Sequence, residues 1–290
     1  MISSLKLLRI NQWIKNLFMF APLMFSKQIF RQQAFIEVSL GFVIFSLASS
    51  SVYIFNDLQD INSDKQHPQK KNRPLPSGKI SRQAAARVAI FLSVISLGTS
   101  FYIDSTFGFI VLTYVIINVF YSIILKHLVI LDVMVIAAGF VLRVLAGAAV
   151  VKVYPSNWLL ICTTLLALFL GFSKRRHELV ILADSAYSHR KVLEHYNTYY
   201  LDQMIAIVTA ATVMSYMLYT VSEETVKFFG TRQLIWTVPF VFYGIFRYLF
   251  LIHKKEKGGD PAEIMIKDKP LLINLLLWII SVIIIIYVVK

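Results

Sequence analysis

Nine apolar runs long enough to cross a lipid bilayer recur along this chain of 290 residues. The hydrocarbon core of a bilayer is about 30 Å thick, and a helix needs roughly 20 apolar residues to span it. The runs are much longer than barrel strands and do not alternate in polarity, so we expect helices. The predicted spans are residues 16–30, 35–55, 84–103, 106–125, 129–151, 157–173, 203–222, 233–252 and 270–289.

The overall composition favours the same class of protein. Hydrophobic residues make up 57% of the chain and charged residues 16%, whereas a soluble domain averages about 45–50% apolar and about 25% charged residues. The sequence therefore predicts an all-α, multi-pass membrane protein with one integral membrane domain over residues 1–290. The first span is the weakest of the nine, because Pro22 interrupts its short apolar core.

Basic residues are distributed unequally between the two sides of the predicted membrane. With the N-terminus inside, 22 of the 29 Lys and Arg residues fall on the inner side, six fall on the outer side, and Arg143 lies within the fifth span. This bias predicts a cytoplasmic N-terminus and cytoplasmic segments after the even-numbered spans. Topology and contact with anionic lipids of the bilayer account for the net charge of +13, so we do not expect nucleic-acid binding.

Several common kinds of catalytic and binding site have no sequence motif here. The single cysteine, Cys162, rules out an intrachain disulfide, and no Cys/His cluster has the spacing of a zinc site. The chain also lacks a GxxxxGK[ST] loop, a GxGxxG turn and a GxSxG elbow. ATP-driven, dinucleotide-dependent and serine-hydrolase chemistry are therefore not expected.

An acidic segment, NDLQDINSD, follows directly on the second span and begins at Asn56. If the helix continues, Asp57, Asp60 and Asp64 lie at i, i+3 and i+7, on one helix face. Carboxylates this close repel one another unless a cation lies between them, and Mg²⁺ is usually held by one or two carboxylates plus substrate phosphates. These four residues are the predicted Mg²⁺ ligands, with the three aspartates as catalytic residues. The alternative is a solvated acidic helix end before a positive-inside loop.

Cations on the same predicted side of the membrane suit the phosphates of a substrate. Arg73 precedes Pro74, which favours an extended backbone, and an arginine held in this way can donate two parallel hydrogen bonds to a phosphate. Lys15 is either a phosphate ligand or an ordinary positive-inside flank. Acids for a metal and cations for phosphates predict an enzyme that acts on a diphosphate next to lipid. The further candidate substrate-binding residues are Asn56, Lys70, Tyr121, Lys126, Asp132, Lys174, Arg175 and Glu178.

Arg143 is a charged residue deep within the fifth predicted span, eleven residues after Asp132. A charge at such a depth is costly, so its side chain should face the protein interior or a wet cavity. Two interpretations stay open: Arg143 binds an anion of the substrate, or it pairs with a buried acid. Gly147 nearby is more typical of close helix packing than of a ligand loop.

The acidic segment resembles the NDxxDxxxD motif of the UbiA superfamily of intramembrane prenyltransferases, and the Tyr-Ser-x-x-x-Lys at 121–126 is similar to that superfamily too. The resemblance implies a helical bundle around a central cavity whose polar site is capped by cytoplasmic loops. The usual members carry a second acidic motif, about DxxxD, after the sixth span. This chain departs from that pattern, because the position holds Lys174-Arg175-Arg176-His177-Glu178.

Four further motifs resemble one branch, the decaprenyl-phosphate phosphoribosyltransferases. This branch implies Mg²⁺-dependent transfer of 5-phosphoribose from phosphoribosyl diphosphate to a polyprenyl phosphate, in the synthesis of cell-envelope glycolipid precursors. One acidic cluster with one basic cluster suits a donor that carries phosphate at two places. Lys15, Arg73 and the Lys174/Arg175 pair are candidates for the lipid phosphate and the 5-phosphate, in no assigned order. The matching motifs are QWxKN at 12–16, HPxKxxRPxxSG at 67–78, LDVxxIAxGFVLRxxAG at 131–147 and KRxxEL at 174–179.

Two other functions stay open at this point. One is a prenyltransferase that joins a prenyl diphosphate to an aromatic acceptor, against which the departure after the sixth span counts. The other is a non-enzymatic lipid-binding or transport protein, although the paired repeats common in transporters are not evident. The sequence determines neither the length of the polyprenyl chain nor whether the protein forms homo-oligomers.

Overall fold

The computed structural model describes residues 6–66, 70–182, 191–254, 264–265 and 267–289. These residues form helices and no strand, which confirms the predicted all-α class. Part of the predicted motif at 67–78, residues 67–69, lies outside the described residues. The chain divides into two compact units, unit 1 (Met1–Pro155 with Asp184–His195) and unit 2 (Ser156–Ala183 with Tyr196–Lys290).

Unit 1 begins with a 3₁₀-helix and continues with six α-helices. Polar caps define where two of its long helices begin: Ser81 Oγ accepts the N–H of Ala84, and Asp104 Oδ1 accepts the N–H of Phe107. Its α-helices are α1 (Ala21–Phe25), α2 (Gln32–Gln59), α3 (Ile61–Gln66), α4 (Arg82–Ile103), α5 (Ser105–Ile123) and α6 (Leu131–Val150). Its 3₁₀-helices are Ile10–Phe20, Lys70–Asn72, Leu125–His127 and Lys191–His195.

Helix α2 is the inner helix of unit 1 and packs against α4, α5, α6 and the N-terminal 3₁₀-helix Ile10–Phe20. Its most apolar stretch is 61% buried, against 22% for α4, whose side chains mostly face outward. A small residue permits one close approach, since a Cβ on Gly147 of α6 would collide with the carbonyl of Met19. The core is formed by Met19, Leu23, Val38, Phe45, Ala48, Val52, Phe107, Val111, Tyr114 and Ala146.

Unit 2 is built on the long pair α7 and α8, which pack along each other. Asn197 caps α8 by accepting the N–H of Tyr200, and Asp268 caps the last helix by accepting the N–H of Leu271. The helices are α7 (Asn157–Leu182), α8 (Thr198–Val221), α9 (Glu223–Phe229), a 3₁₀-helix (Gln233–Thr237), α10 (Val238–Lys254) and α11 (Lys269–Tyr287).

Eight of the predicted spans are helices long and apolar enough to cross a membrane, counted over the described residues. The first predicted span, 16–30, differs from the prediction. It consists of the end of the 3₁₀-helix Ile10–Phe20 followed by α1, which has five residues. Pro22 lies in the first turn of α1, where a missing N–H breaks no helical hydrogen bond. The chain is an integral membrane protein, with this first segment shorter than a full span.

The sixth predicted span ends later than the apolar pattern indicated. Helix α7 continues to Leu182, beyond the predicted end at residue 173. The motif Lys174–Glu178, which the prediction placed beyond the end of the sixth span, therefore lies on the same helix as that span. Lys, Arg and Glu are good helix formers, so a charged run does not by itself end a helix.

Candidate active site

The acidic segment spans a helix end. Helix α2 ends at Gln59, and Asp60 follows as its C-cap, donating its N–H to the carbonyl of Asn56 at 3.0 Å. Helix α3 then begins at Ile61, so Asp57 lies in the last turn of α2 and Asp64 lies in α3. The three carboxylates are therefore divided between two helices and a cap, instead of sharing the face of one continuous helix.

Asp57 is buried and ion-paired with an arginine from the N-terminal segment. Its side chain is 4% exposed, and Arg9 approaches it with two donors. Arg9 Nε donates to Oδ2 at 3.1 Å, and Nη2 donates to Oδ1. The guanidinium also lies 5.5 Å from the ring centre of Tyr53. A bidentate pair of this kind fixes both orientation and charge.

Arg73 joins the two buried carboxylates of the site. Its Nη1 donates to Asp57 Oδ1 at 3.1 Å and to Asp64 Oδ2 at 2.6 Å. Burial raises the pKa of Asp64 above its usual value, and the cations Arg73 and Lys70 oppose that shift. One guanidinium nitrogen thus lies where two carboxylates would otherwise repel each other.

Asp60 is held by Lys126, on the short helix after α5, and by Asn56, in the last turn of α2. Lys126 Nζ donates to Asp60 Oδ1 at 2.5 Å, and Asn56 Nδ2 donates to Oδ2 at 3.0 Å. Ser122 Oγ in turn donates to Asn56 Oδ1 at 3.1 Å. The acidic segment and the Tyr-Ser-x-x-x-Lys motif, distant in sequence, therefore form one hydrogen-bonded network.

Three cations of the described residues, Arg9, Arg73 and Lys126, form ion pairs with the three carboxylates of the site. Within the described part of the chain, no three His, Cys, Asp or Glu side chains are gathered closely enough to hold one metal ion. The side-chain oxygens of the acidic segment nevertheless fit Mg²⁺, because carboxylate and amide oxygens are its usual ligands. Asp57 and Asp64 already accept hydrogen bonds from one cationic nitrogen. A single divalent cation would suit this pair if Arg73 moved aside.

Other predicted residues of unit 1 lie on neighbouring elements. Lys15 is half-buried on the N-terminal 3₁₀-helix, and Lys70 begins the short helix Lys70–Asn72. Tyr121 is half-buried in the last turn of α5, and Asp132 is fully buried in the first turn of α6. Their roles in substrate binding stay predictions.

Arg143 is surrounded by neutral groups. Nε donates to Asn16 Oδ1 at 2.7 Å, Nη1 to the carbonyl of Gly139 at 2.7 Å, and Nη2 to the Tyr114 hydroxyl at 3.1 Å. The rings of Phe45, Tyr114 and Phe140 lie 5.0 to 5.6 Å from its guanidinium. No carboxylate among the described residues forms an ion pair with it, so the second interpretation, pairing with a buried acid, finds no partner in that part of the chain.

In unit 2, the predicted residues Lys174, Arg175 and Glu178 lie on α7. Arg175 is 1% exposed and forms an ion pair with Glu178, three residues later. Arg176 Nε donates to Asp202 Oδ1 at 2.5 Å, joining α7 to α8. The acids near this turn of α7 are therefore neutralised by arginines.

Arg9 is the residue of the site that the sequence did not reveal. An arginine before a membrane segment is indistinguishable from a positive-inside flank, and nothing in its local pattern indicates a partner 48 residues away. Its backbone is left-handed, with φ of 52°, which is uncommon for a residue other than glycine. This conformation places Arg9 at the start of the 3₁₀-helix.

Comparisons with known proteins come from sequence and from structure. The sequence model of the UbiA prenyltransferase family matches residues 17–262. A decaprenyl-phosphate phosphoribosyltransferase of Corynebacterium glutamicum is 31% identical, over 98% of this chain and 86% of that one. The enzyme of the same name from Mycolicibacterium smegmatis is also 31% identical, over 95% of this chain and 89% of that one.

A solved structure has a similar fold. The UbiA homolog from Archaeoglobus fulgidus bound to DMAPP and Mg²⁺ matches with a TM-score of 0.73 over 99% of both chains. Its sequence identity is 20%, so this likeness concerns the fold alone.

Proposed function

The chain belongs to the UbiA prenyltransferase family. Within that family, we propose that it transfers 5-phosphoribose from phosphoribosyl diphosphate to a polyprenyl phosphate. Membership and the near-full-length relatives make it an integral membrane transferase. The finer proposal adds the donor, the acceptor, Mg²⁺ dependence and a place in cell-envelope glycolipid precursor synthesis. It also includes a topology with the N-terminus and the acidic segment on the cytoplasmic side.

The observation that carries the choice of donor is the charge pattern on α7. Members that use prenyl diphosphates have a second acidic motif there, whereas this chain has Lys174, Arg175 and Arg176. The acids nearest this turn, Glu178 and Asp202, are each paired with an arginine. Such a turn suits an anionic group of the substrate better than a second metal ion. The relatives named for phosphoribosyl transfer support the same choice.

The acidic segment supplies the residues that would hold Mg²⁺. The proposed ligands are Asp57 and Asp64, together with the Asn56 amide and Asp60 beside them. When bound, the metal would offset the negative charge that develops on the departing diphosphate. The two aspartates are buried, which strengthens their attraction for a cation.

Two of the three cations that contact the aspartates would gain a second role once the carboxylates bind a metal. Arg9, Arg73 and Lys126 each contact an aspartate. A guanidinium that leaves a carboxylate can bind a phosphate in the same bidentate geometry. We propose that Arg9 and Arg73 turn to oxygens of the diphosphate, while Lys126 keeps Asp60 in place.

The transfer step needs little proton movement. The bond between ribose C1 and the diphosphate oxygen breaks, and a bond between C1 and an oxygen of the lipid phosphate forms. The lipid phosphate is already ionised at neutral pH, so no general base is required. In-line displacement inverts C1, from the α donor to a β product. Preorganised cations around the leaving group supply the electrostatic part of the rate enhancement.

A transfer assay tests the proposal. Purified protein in lipid vesicles is incubated with Mg²⁺, labelled phosphoribosyl diphosphate and a polyprenyl phosphate, and label is measured in the organic phase. The expected product is a polyprenyl phosphoribose whose formation stops on chelation of Mg²⁺. Transfer from a prenyl diphosphate to an aromatic acceptor, with none from phosphoribosyl diphosphate, would establish the prenyltransferase alternative instead.

A further inference from the structure

The N-terminal 3₁₀-helix of unit 1 is unusually long for its type. It extends over eleven residues, Ile10–Phe20, whereas runs longer than three or four residues are uncommon because the hydrogen-bond geometry is poor. Such a segment needs contacts from other elements to keep its shape. Its first neighbour in the chain is Arg9, the partner of Asp57.

Hydrogen bonds tie this segment to a row of buried serines on α2. Asn16 Nδ2 donates to Ser46 Oγ at 2.9 Å and to Ser49 Oγ at 3.1 Å. Nearer the chain start, Trp13 Nε1 donates to Ser50 Oγ at 2.9 Å. Ser50 Oγ donates in turn to the carbonyl of Leu8 at 2.8 Å, one residue before Arg9.

Arg143 binds the other end of the same Asn16 amide. Its Nε donates to Asn16 Oδ1, so both donors and the acceptor of the Asn16 amide are used. Asn16 is fully buried and Arg143 is 4% exposed. The cation is held by an amide, a carbonyl, a hydroxyl and aromatic faces. An anion that took the place of the amide at Nε would leave the buried Asn16 oxygen without this donor, which is costly.

We infer that Arg143 is a positioning residue: it clamps Asn16 so that the N-terminal 3₁₀-helix keeps its register on α2 and presents Arg9 to Asp57. The inference rests on the proposed metal–diphosphate site, because Arg9 is one of its cations. Arg143 acts as a hydrogen-bond donor in this role, and its charge is incidental. A substrate-binding role, in contrast, would depend on the charge.

Three substitutions of Arg143 distinguish a role as hydrogen-bond donor from a role that depends on its positive charge. Arg143→Gln keeps an N–H donor without the charge, Arg143→Lys keeps the charge with a different donor geometry, and Arg143→Met removes both. The probe is inorganic diphosphate with Mg²⁺, titrated into the purified full chain. Diphosphate is common to phosphoribosyl and prenyl donors, so the result does not depend on which donor the enzyme uses.

We expect Arg143→Gln to bind diphosphate within about threefold of the wild type and Arg143→Met to bind about tenfold more weakly, since one hydrogen bond of a charged group is worth such a factor. Asn16→Ala should weaken binding as Arg143→Met does, which covers the case that the methionine variant does not fold. A wild-type affinity for Arg143→Lys, with equal losses in the glutamine and methionine variants, would overturn the inference.

A double-mutant cycle tests whether Arg143 acts through Arg9. If it does, Arg9→Gln with Arg143→Met should bind diphosphate no more weakly than Arg9→Gln alone. If the loss of diphosphate affinity in the double variant equalled the product of the two single losses, the effect of Arg143→Met would be general damage, and the inference would be overturned. Val111→Ala, at a fully buried core position of α5, is the control that lowers thermal stability but should leave diphosphate affinity unchanged.

The outcome is separable from the proposed function. A wild type that binds Mg²⁺ and diphosphate and gives the expected cycle, but transfers no phosphoribose, would contradict the function and leave the positioning role standing. A wild type that binds no diphosphate would overturn the site and the positioning role together.

Discussion

The end of α2 and the middle of α6 both bury charged side chains, but they balance those charges in different ways. At the end of α2 and in the adjoining α3, Asp57 and Asp64 are paired with Arg73. On α6, Arg143 has only neutral partners among the described residues. Both arrangements satisfy the hydrogen-bonding needs of a buried ion, as buried charges require.

The two arrangements differ in whether the partner of the buried charge can be exchanged for another. An ion pair leaves each member able to accept another partner of the right sign, so a metal can replace an arginine and a phosphate can replace an aspartate. A charge held by amide, carbonyl and hydroxyl groups has no such alternative, because its partners carry no charge to exchange. We therefore regard the end of α2 as a binding site and the environment of Arg143 as a fixed support.

The largest expected effect follows removal of one exchangeable charge. Asp57→Asn should lower kcat/KM at least about a hundredfold, since it weakens both the metal site and the contact with Arg9. The measurement is initial rate against Mg²⁺ concentration. Asp104→Asn is the matched control, because asparagine serves as well as aspartate in the N-cap that Asp104 provides to α5. Near-normal rates for Asp57→Asn at limiting Mg²⁺ would refute the metal-site assignment.

The bridging arginine should affect metal and phosphate in opposite directions. Arg73→Gln removes the cation between Asp57 and Asp64, so we expect about tenfold tighter binding of Mg²⁺ alone and about tenfold weaker binding of diphosphate. Calorimetric titration of each ligand measures both.

The comparison predicts a contrast with the fixed support. Arg143→Gln should leave the affinity for Mg²⁺ alone unchanged, because no described carboxylate pairs with Arg143. If Arg73→Gln weakened both ligands equally, Arg73 would not be an exchangeable cation.

Lys126 should have the smallest effect of the three cations. Lys126→Met removes one partner of Asp60, but the Asn56 amide remains bound to the same carboxylate. We expect the KM for the donor to rise about fivefold, less than the loss of a full charge-assisted hydrogen bond would give, with kcat little changed. Lys227→Met, at an exposed ion pair with Glu223, is the control and should change neither constant.

Much of the fold follows from the sequence because long apolar runs have few alternatives in a bilayer. Eight of the nine predicted spans are, among the described residues, helices long and apolar enough to cross a membrane. The 3₁₀-helix Ile10–Phe20 was not predicted, because hydropathy does not distinguish one kind of helix from another. The extension of α7 was missed because its last turns are charged, although charged residues are compatible with helix.

The acidic segment and Lys126 could be found from spacing, but their pairing could not. Arg9, Arg73 and Lys126 reach the aspartates from 48, 16 and 66 positions away. The neutral surroundings of Arg143 were equally hidden, since Asn16 lies 127 positions from it. Such contacts depend on how helices pack, which local patterns do not specify.

Preference between two diphosphate donors tests the central claim most directly. Purified protein with Mg²⁺ is heated with phosphoribosyl diphosphate or with a short prenyl diphosphate at equal concentration. A ligand at about 100 times its Kd adds about 2.7 kcal/mol to the free energy of unfolding, which a thermal-shift measurement detects. Because both ligands carry a diphosphate, the difference between their shifts reports whether the site recognises the 5-phosphoribosyl group or the prenyl chain. We predict the larger shift with phosphoribosyl diphosphate; a larger shift with the prenyl diphosphate would contradict the account.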